Sequence, residues 1–252
     1  MTDRFTGRRI AVTGAAGGIG HALTVSLASR GATVYALDRT AESMSDLAAE
    51  QPARISTHAC DVSSEESITA VVGDLYTGAD AEAPAIDLVN CAGIVEDDVA
   101  AEDMPADQWD AVMGVNLRGA FLMSQAFGRE MLARGGGAIV NVSSMSGTRI
   151  VNHPQRQCAY NTAKAGLSAL TRSLAVEWGP RGVRVNAVSP GYVDTPLNAR
   201  KQHMHAGWLE GTVLGRFAHL REITAAVEYL LDDDAGYCCG TDLLVDGGYS
   251  LR

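Results

Sequence analysis

The chain has 252 residues, 20 basic and 30 acidic side chains and a formal net charge of −10, so it lacks the concentrated basic face that a nucleic-acid partner needs. A hydrophobic fraction of 46 % excludes a disordered chain, and no apolar stretch reaches the roughly 18 residues that a membrane span requires. The five scattered cysteines (Cys60, Cys91, Cys158, Cys238, Cys239) suggest neither a disulfide framework nor a zinc site.

In chain order, residues 9–13 (RIAVT) read as a buried strand. Residues 18–30 read as a helix with Ile19, Leu23 and Leu27 on one face and Gly31 as its stop. A second strand is expected at 33–37, a polar helix at 41–50, a third strand at 55–59 and a helix at 64–76 capped by Ser63 or Ser64. The run IDLVN at 86–90 is a fourth strand. A long helix is expected over 106–134, stopped by the glycines at 135–137. A fifth strand at 138–142, a long helix at 158–178 and a sixth strand at 183–188 follow. From 189 to 215 the chain is polar without clear periodicity, and His203 and His205 are expected on a mobile loop there, without a third metal ligand. A helix at 222–231 and a seventh strand at 243–245 complete the order. Strand and helix alternate throughout, with no linker or repeat. The prediction is one α/β domain over 1–252, a doubly wound sheet of seven mainly parallel strands with helices on both faces.

Chemistry-bearing residues gather where ligands of such sheets bind, at the C-terminal ends of the strands. Between the first strand and helix lies TGAAGGIG, Thr13 to Gly20. Gly14, Gly18 and Gly20, with Ile19, would let the backbone approach a pyrophosphate at a helix N-terminus. Asp38 closes the second strand 18 residues after Gly20, where a carboxylate accepts from both ribose hydroxyls and repels a 2′-phosphate. Arg39 would soften that repulsion, but the glycine loop itself holds no cation, so NAD is favoured over NADP.

Tyr160 and Lys164 are four residues apart at the start of a predicted helix, one turn apart on one face. A free tyrosine is a poor base at pH 7, and lowering its pKa by ~3 units takes about 4 kcal/mol. The Lys164 ammonium plus an oxidised nicotinamide is expected to supply it. Ser143 and Ser144 end the preceding strand on the same sheet edge.

With these residues in view, the sequence resembles the short-chain dehydrogenase/reductase family over nearly its whole length, and so a Rossmann-type fold. The matching motifs are TGAAGGIG, Asp61-Val62, NCAG (Asn90–Gly93), Asn116 in VNLRG, Ser144 in IVNVSS, YNTAK (Tyr160–Lys164) and SPGYVDT. Cys91 stands where many members carry a second Asn. The resemblance implies Tyr160 as general acid/base, Ser144 as donor to the substrate oxygen, and Lys164 on the nicotinamide ribose. It implies Asn116 holding a water on the proton path. It also places Asp61 and Val62 at the adenine, Asn90 and Gly93 near the adenosine ribose, and Val193 and Thr195 at the carboxamide. The choice of Ser144 over Ser143 rests on it alone. The C-terminal LLVDGGYSLR resembles a segment that many family homotetramers pack across a two-fold axis.

The segment SMSGT followed by IVNHPQ resembles the polyol-dehydrogenase and ketose-reductase branch, including galactitol and arabinitol dehydrogenases and sorbose reductases. Ser146, Thr148, Asn152, His153, Gln155 and Gln157 make this loop polar, and Asn152 and Gln155 are the first candidates for substrate contacts. The candidate lid, 194–215, is also polar, with Trp208 its one aromatic residue. A small polyol or its ketose is therefore the expected substrate. A 3-oxoacyl, steroid or other hydrophobic ketone substrate would want a more apolar pocket. A non-catalytic nucleotide-binding regulator would show a broken Ser/Tyr/Lys/Asn set, and all four are present. The expected setting is cytoplasmic, without membrane or nucleic-acid partners.

Overall fold

The computed structural model describes residues 4–77, 83–152, 154–195, 198 and 201–252. His153 and Arg200, with part of the expected lid, lie outside the described residues.

Seven strands form one sheet: β1 (Arg9–Thr13), β2 (Thr33–Asp38), β3 (Ile55–Ala59), β4 (Ile86–Asn90), β5 (Gly137–Val142), β6 (Val183–Pro190) and β7 (Asp242–Val245). Their spatial order is β3-β2-β1-β4-β5-β6-β7, and every pairing is parallel. The expected doubly wound sheet is therefore present. Chain order reverses between β1 and β4, and that reversal opens a crevice at the strands' C-terminal ends. The helices are α1 (Gly18–Ser29), α2 (Ser45–Glu50), α3 (Glu65–Tyr76), α4 (Ala106–Met113), α5 (Ala120–Ala133), α6 (Cys158–Trp178), α7 (His205–Gly211) and α8 (Leu220–Leu231).

Strands buried on both faces carry near-continuous apolar runs, as β4 and β5 do. One core lies between the sheet and α1/α8, including Ile10, Leu23, Leu27, Val140, Ile223 and Val227. The other lies beneath α3, α5 and α6, including Ile68, Leu88, Met123, Phe127, Ile139 and Leu174. Ser64 caps α3, its hydroxyl accepting from the Ser67 amide at 3.2 Å.

Two expectations are corrected. The helix expected over 106–134 is α4 and α5 joined by a π-helical turn, Gly114–Gly119, which carries Asn116. Apolar spacing alone does not mark a one-residue change in helical pitch. The segment expected as a loop around the two histidines is a 3₁₀ turn, Gln202–Met204, followed by α7. Its apolar partners come from distant segments. Trp208 stacks on Tyr192 with centroids 4.2 Å apart, and His205 meets Phe217 edge-on at 4.9 Å. Local periodicity does not reveal such a face.

Candidate active site

The C-terminal ends of β1, β2, β4, β5 and β6 open into one cleft of about 560 Å³, within the usual range for ligand sites. Gly14, Gly18, Ile19, Asp38, Asp61, Val62, Gly93, Val193 and Thr195 line it together with Ser144, Asn152, Gln155, Tyr160 and Lys164. Gly20, Asn90 and Asn116 do not.

The glycine turn fits a phosphate cradle. Gly14 has φ +68°, and a Cβ there would lie 2.8 Å from the Ala92 Cα. Gly18 has φ +54°, with Thr195 as its nearest neighbour across the cleft. Gly20 serves packing instead, since a Cβ on it would lie 2.2 Å from the Gly14 carbonyl oxygen. Thr13 ties the two halves of the crevice: its hydroxyl accepts from the Cys91 and Ala92 amides, both at 3.0 Å.

Asp38 accepts from the Ala16 amide at 2.9 Å and from the Arg39 amide at 2.8 Å. Two hydrogen bonds leave lone-pair sites on each oxygen for further donors. Asp61 accepts from the Ser63 amide and hydroxyl, which hold its carboxyl below the usual range.

The Asn90 side chain points into the protein rather than into the cleft. Its side-chain amide donates to Asn141 Oδ1 at 2.8 Å and Ser124 Oγ at 3.0 Å, bracing β4 against β5 and α5. Asn116 is likewise spent on a backbone, its Oδ1 accepting from the Ile94 amide and its Nδ2 donating to the Ile94 carbonyl, both at 2.8 Å.

Ser143 and Ser144 face different ways. The Ser143 hydroxyl binds the Lys164 carbonyl and Ser168, both at 3.0 Å, and so anchors α6. Ser144 lines the cleft with Tyr160, and its Oγ accepts from the Ser146 amide at 3.1 Å.

Lys164 Nζ donates to the Val142 carbonyl at 2.7 Å and sits 5.7 Å from the Tyr160 ring centroid. An ammonium carries three N–H donors, so the others remain for ligand oxygens. Burial pushes its pKa down to about 8. Burial also pushes the Tyr160 phenol up, with the Ser144 hydrogen bond opposing it. Desolvation is the largest influence on the phenol.

At the far end of the cleft, Asn152 and Gln155 are 8 % and 6 % exposed and face each other, Asn152 Nδ2 to Gln155 Oε1 at 3.4 Å. Gln155 Oε1 also accepts from the Tyr192 hydroxyl at 3.0 Å. The Asn152 Oδ1 is buried without a hydrogen-bond partner. Sequence reasoning missed Tyr192, although SPGYVDT places it beside Val193 at the strand edge. It also missed Glu96, which carries no local signal because its partners are more than 60 residues away.

The comparisons with known proteins agree with this geometry. A family model described as Enoyl-(Acyl carrier protein) reductase matches residues 14–250. A galactitol 2-dehydrogenase (L-tagatose-forming) of Cereibacter sphaeroides is 43 % identical, covering 98 % of this chain and 97 % of its own. The chain belongs to the short-chain dehydrogenase/reductase family. A D-threitol dehydrogenase of Mycolicibacterium smegmatis is 40 % identical, covering 99 % of this chain and 95 % of its own. A short-chain type dehydrogenase/reductase from Mycobacterium marinum superposes with a TM-score of 0.93 at 34 % identity, covering 99 % and 98 % of the two chains. No helix of the described residues is long and apolar enough to cross a membrane.

Proposed function

We propose that the protein is an NAD(H)-dependent dehydrogenase that interconverts a four- to six-carbon polyol and its ketose. The observation that carries this reading is the buried polar wall lining the same cleft as the reacting groups. Asn152, Gln155, Gln157 and Ser146 are all nine-tenths buried or more, and all line the same cleft as Ser144 and Tyr160. The Asn152 Oδ1 is buried without a partner, and a substrate hydroxyl can answer it, so the site favours a substrate with several hydroxyls. The names of the two sugar-alcohol dehydrogenases above support the same class.

In this reading Asp38 holds the adenosine ribose, the glycine turn the pyrophosphate, and the free Lys164 N–H groups the nicotinamide ribose. The bound nicotinamide supplies the hydride acceptor and, in the oxidised form, a positive charge beside Tyr160. Tyr160 Oη takes the proton from the substrate hydroxyl as the attached carbon loses its hydride, and returns it in reduction. Ser144 Oγ donates to the developing alkoxide. Asn152 and Gln155 hold a neighbouring hydroxyl and so fix which carbon reacts. A homotetramer packed through the C-terminal segment, in a reducing cytoplasm, is the proposed setting. The exposed Leu251 and the five free cysteines support it.

Replacing Asn152 or Gln155 with Ala is expected to raise KM for a polyol about tenfold, the worth of one buried hydrogen bond. KM for a monohydroxy alcohol should change less than about twofold. Steady-state kinetics on both substrates checks this. An equal rise for both would assign the two side chains to loop support alone.

A further inference from the structure

Helix α6 carries both Tyr160 and Lys164, yet its first turn lacks a local cap. Gln157 occupies the N-cap position without a side-chain hydrogen bond. The N-terminal amides of a helix need acceptors, and an N-cap side chain ordinarily provides one for the second or third residue. Here those residues are Ala159 and Tyr160, and the acceptor comes from another part of the chain. Glu96, only 4 % exposed, accepts from the Ala159 amide at 2.9 Å and from the Tyr160 amide at 3.1 and 3.2 Å. Two residues on, Asp98 accepts from the Arg156 amide at 3.0 Å. The other end of the same short strap is Ile94, clasped on both backbone groups by the Asn116 side chain.

Resting on the dehydrogenase reading above, we propose that Glu96 is a positioning residue. It caps the catalytic helix through the amide of Tyr160 itself, and the Ile94–Asp98 strap couples that helix to the π-helical turn bearing Asn116.

The carboxylate has two opposed effects. Its hydrogen bonds fix the depth and rotation of the first turn of α6, and hence where Tyr160 Oη stands relative to Ser144. Its negative charge disfavours a second negative charge on the phenol. The titratable and charged groups facing Tyr160 are Glu96 on the strap, Cys91 beyond β4 and Lys164 on α6. Glu96 and Cys91 each act to raise the phenol pKa. A neutral acceptor in the same place separates the two effects. Glu96→Gln keeps an oxygen for the amides and removes the charge. Glu96→Ala removes both.

Two readouts test this, and the first needs no substrate. Phenolate absorbance is titrated as the difference between each protein and its Tyr160→Phe counterpart. Glu96→Gln is expected to move the Tyr160 midpoint down by about half a unit or more. An unmoved or raised midpoint overturns the proposal, whatever the enzyme's substrate proves to be. The second readout is kcat at saturating substrate and cofactor, using the alcohol that the wild type oxidises best. Glu96→Ala is expected to lower kcat about 10- to 100-fold, because a small displacement of the reacting group is costly. Its KM for NAD should stay within about threefold, and Glu96→Gln should recover most of the lost kcat. A folded Glu96→Ala protein with wild-type kcat overturns the proposal. Should that variant fail to fold, the titration of Glu96→Gln decides.

Discussion

Tyr160→Phe is expected to lower kcat by about 10³-fold, within the range that general acid–base groups contribute, while the dissociation constant for NAD changes by less than about threefold. The hydroxyl is the one atom lost. The ring stays packed against the cluster of Val112, Ala159 and Ala163, so α6 and the Lys164 anchor on Val142 keep their places. Ser144 retains its hydrogen bond from the Ser146 amide. The loss should appear in kcat, since the missing proton transfer belongs to the transition state rather than to ground-state binding. Single-turnover rates together with cofactor titration by fluorescence separate the two. Retention of more than about a tenth of wild-type kcat would remove Tyr160 from the acid/base role.

The second large effect is expected at Asp38, as a change in cofactor preference. Its carboxylate stands at the end of β2 with each oxygen already held by one backbone amide, so its orientation is set before any ligand arrives. Hydrogen bonds to a charged acceptor are worth about 1.5–3 kcal/mol each, and a ribose diol can donate two. Asp38→Ala should therefore lower kcat/KM for NAD about 100-fold. For NADP the same change removes a like-charge repulsion and leaves Arg39 beside the 2′-phosphate, so kcat/KM should rise. Parallel kinetics with the two cofactors reports the ratio. Equal use of NAD and NADP by the wild type would show that Arg39, not Asp38, governs this position.

Much of this architecture was legible from the chain because its signals are local. Buried strands announce themselves as apolar runs, and the turn after β1 needs glycine at 14 and 18 for backbone angles that other residues rarely adopt. Tyr160 and Lys164 share a helix, so their spacing places them together. What was hidden depends on partners far away in sequence. Asn90 looks like a ligand contact in its motif, yet the alternation of β4 turns its side chain towards Asn141 and Ser124. The histidine-bearing segment looks irregular because Tyr192 and Phe217 supply the aromatic faces on which it packs. The electrostatic balance of the Tyr160–Lys164 pair depends on burial, which raises one group and lowers the other. Residue identity alone predicts only the attraction.

The buried amides of Asn152 and Gln155, in the same cleft as Tyr160, are expected to select a polyhydroxylated substrate. The most direct measurement is kcat/KM with saturating NAD or NADH across four- to six-carbon polyols and ketoses. The same assay is run on secondary alcohols of equal length, a hydrophobic ketone and an acyl thioester. At least one polyol or ketose is expected to be favoured about tenfold or more over every analogue lacking the extra hydroxyls. Preference for the hydrophobic ketone or the thioester would contradict it, and would leave a dehydrogenase whose Asn152 and Gln155 serve only their own loop.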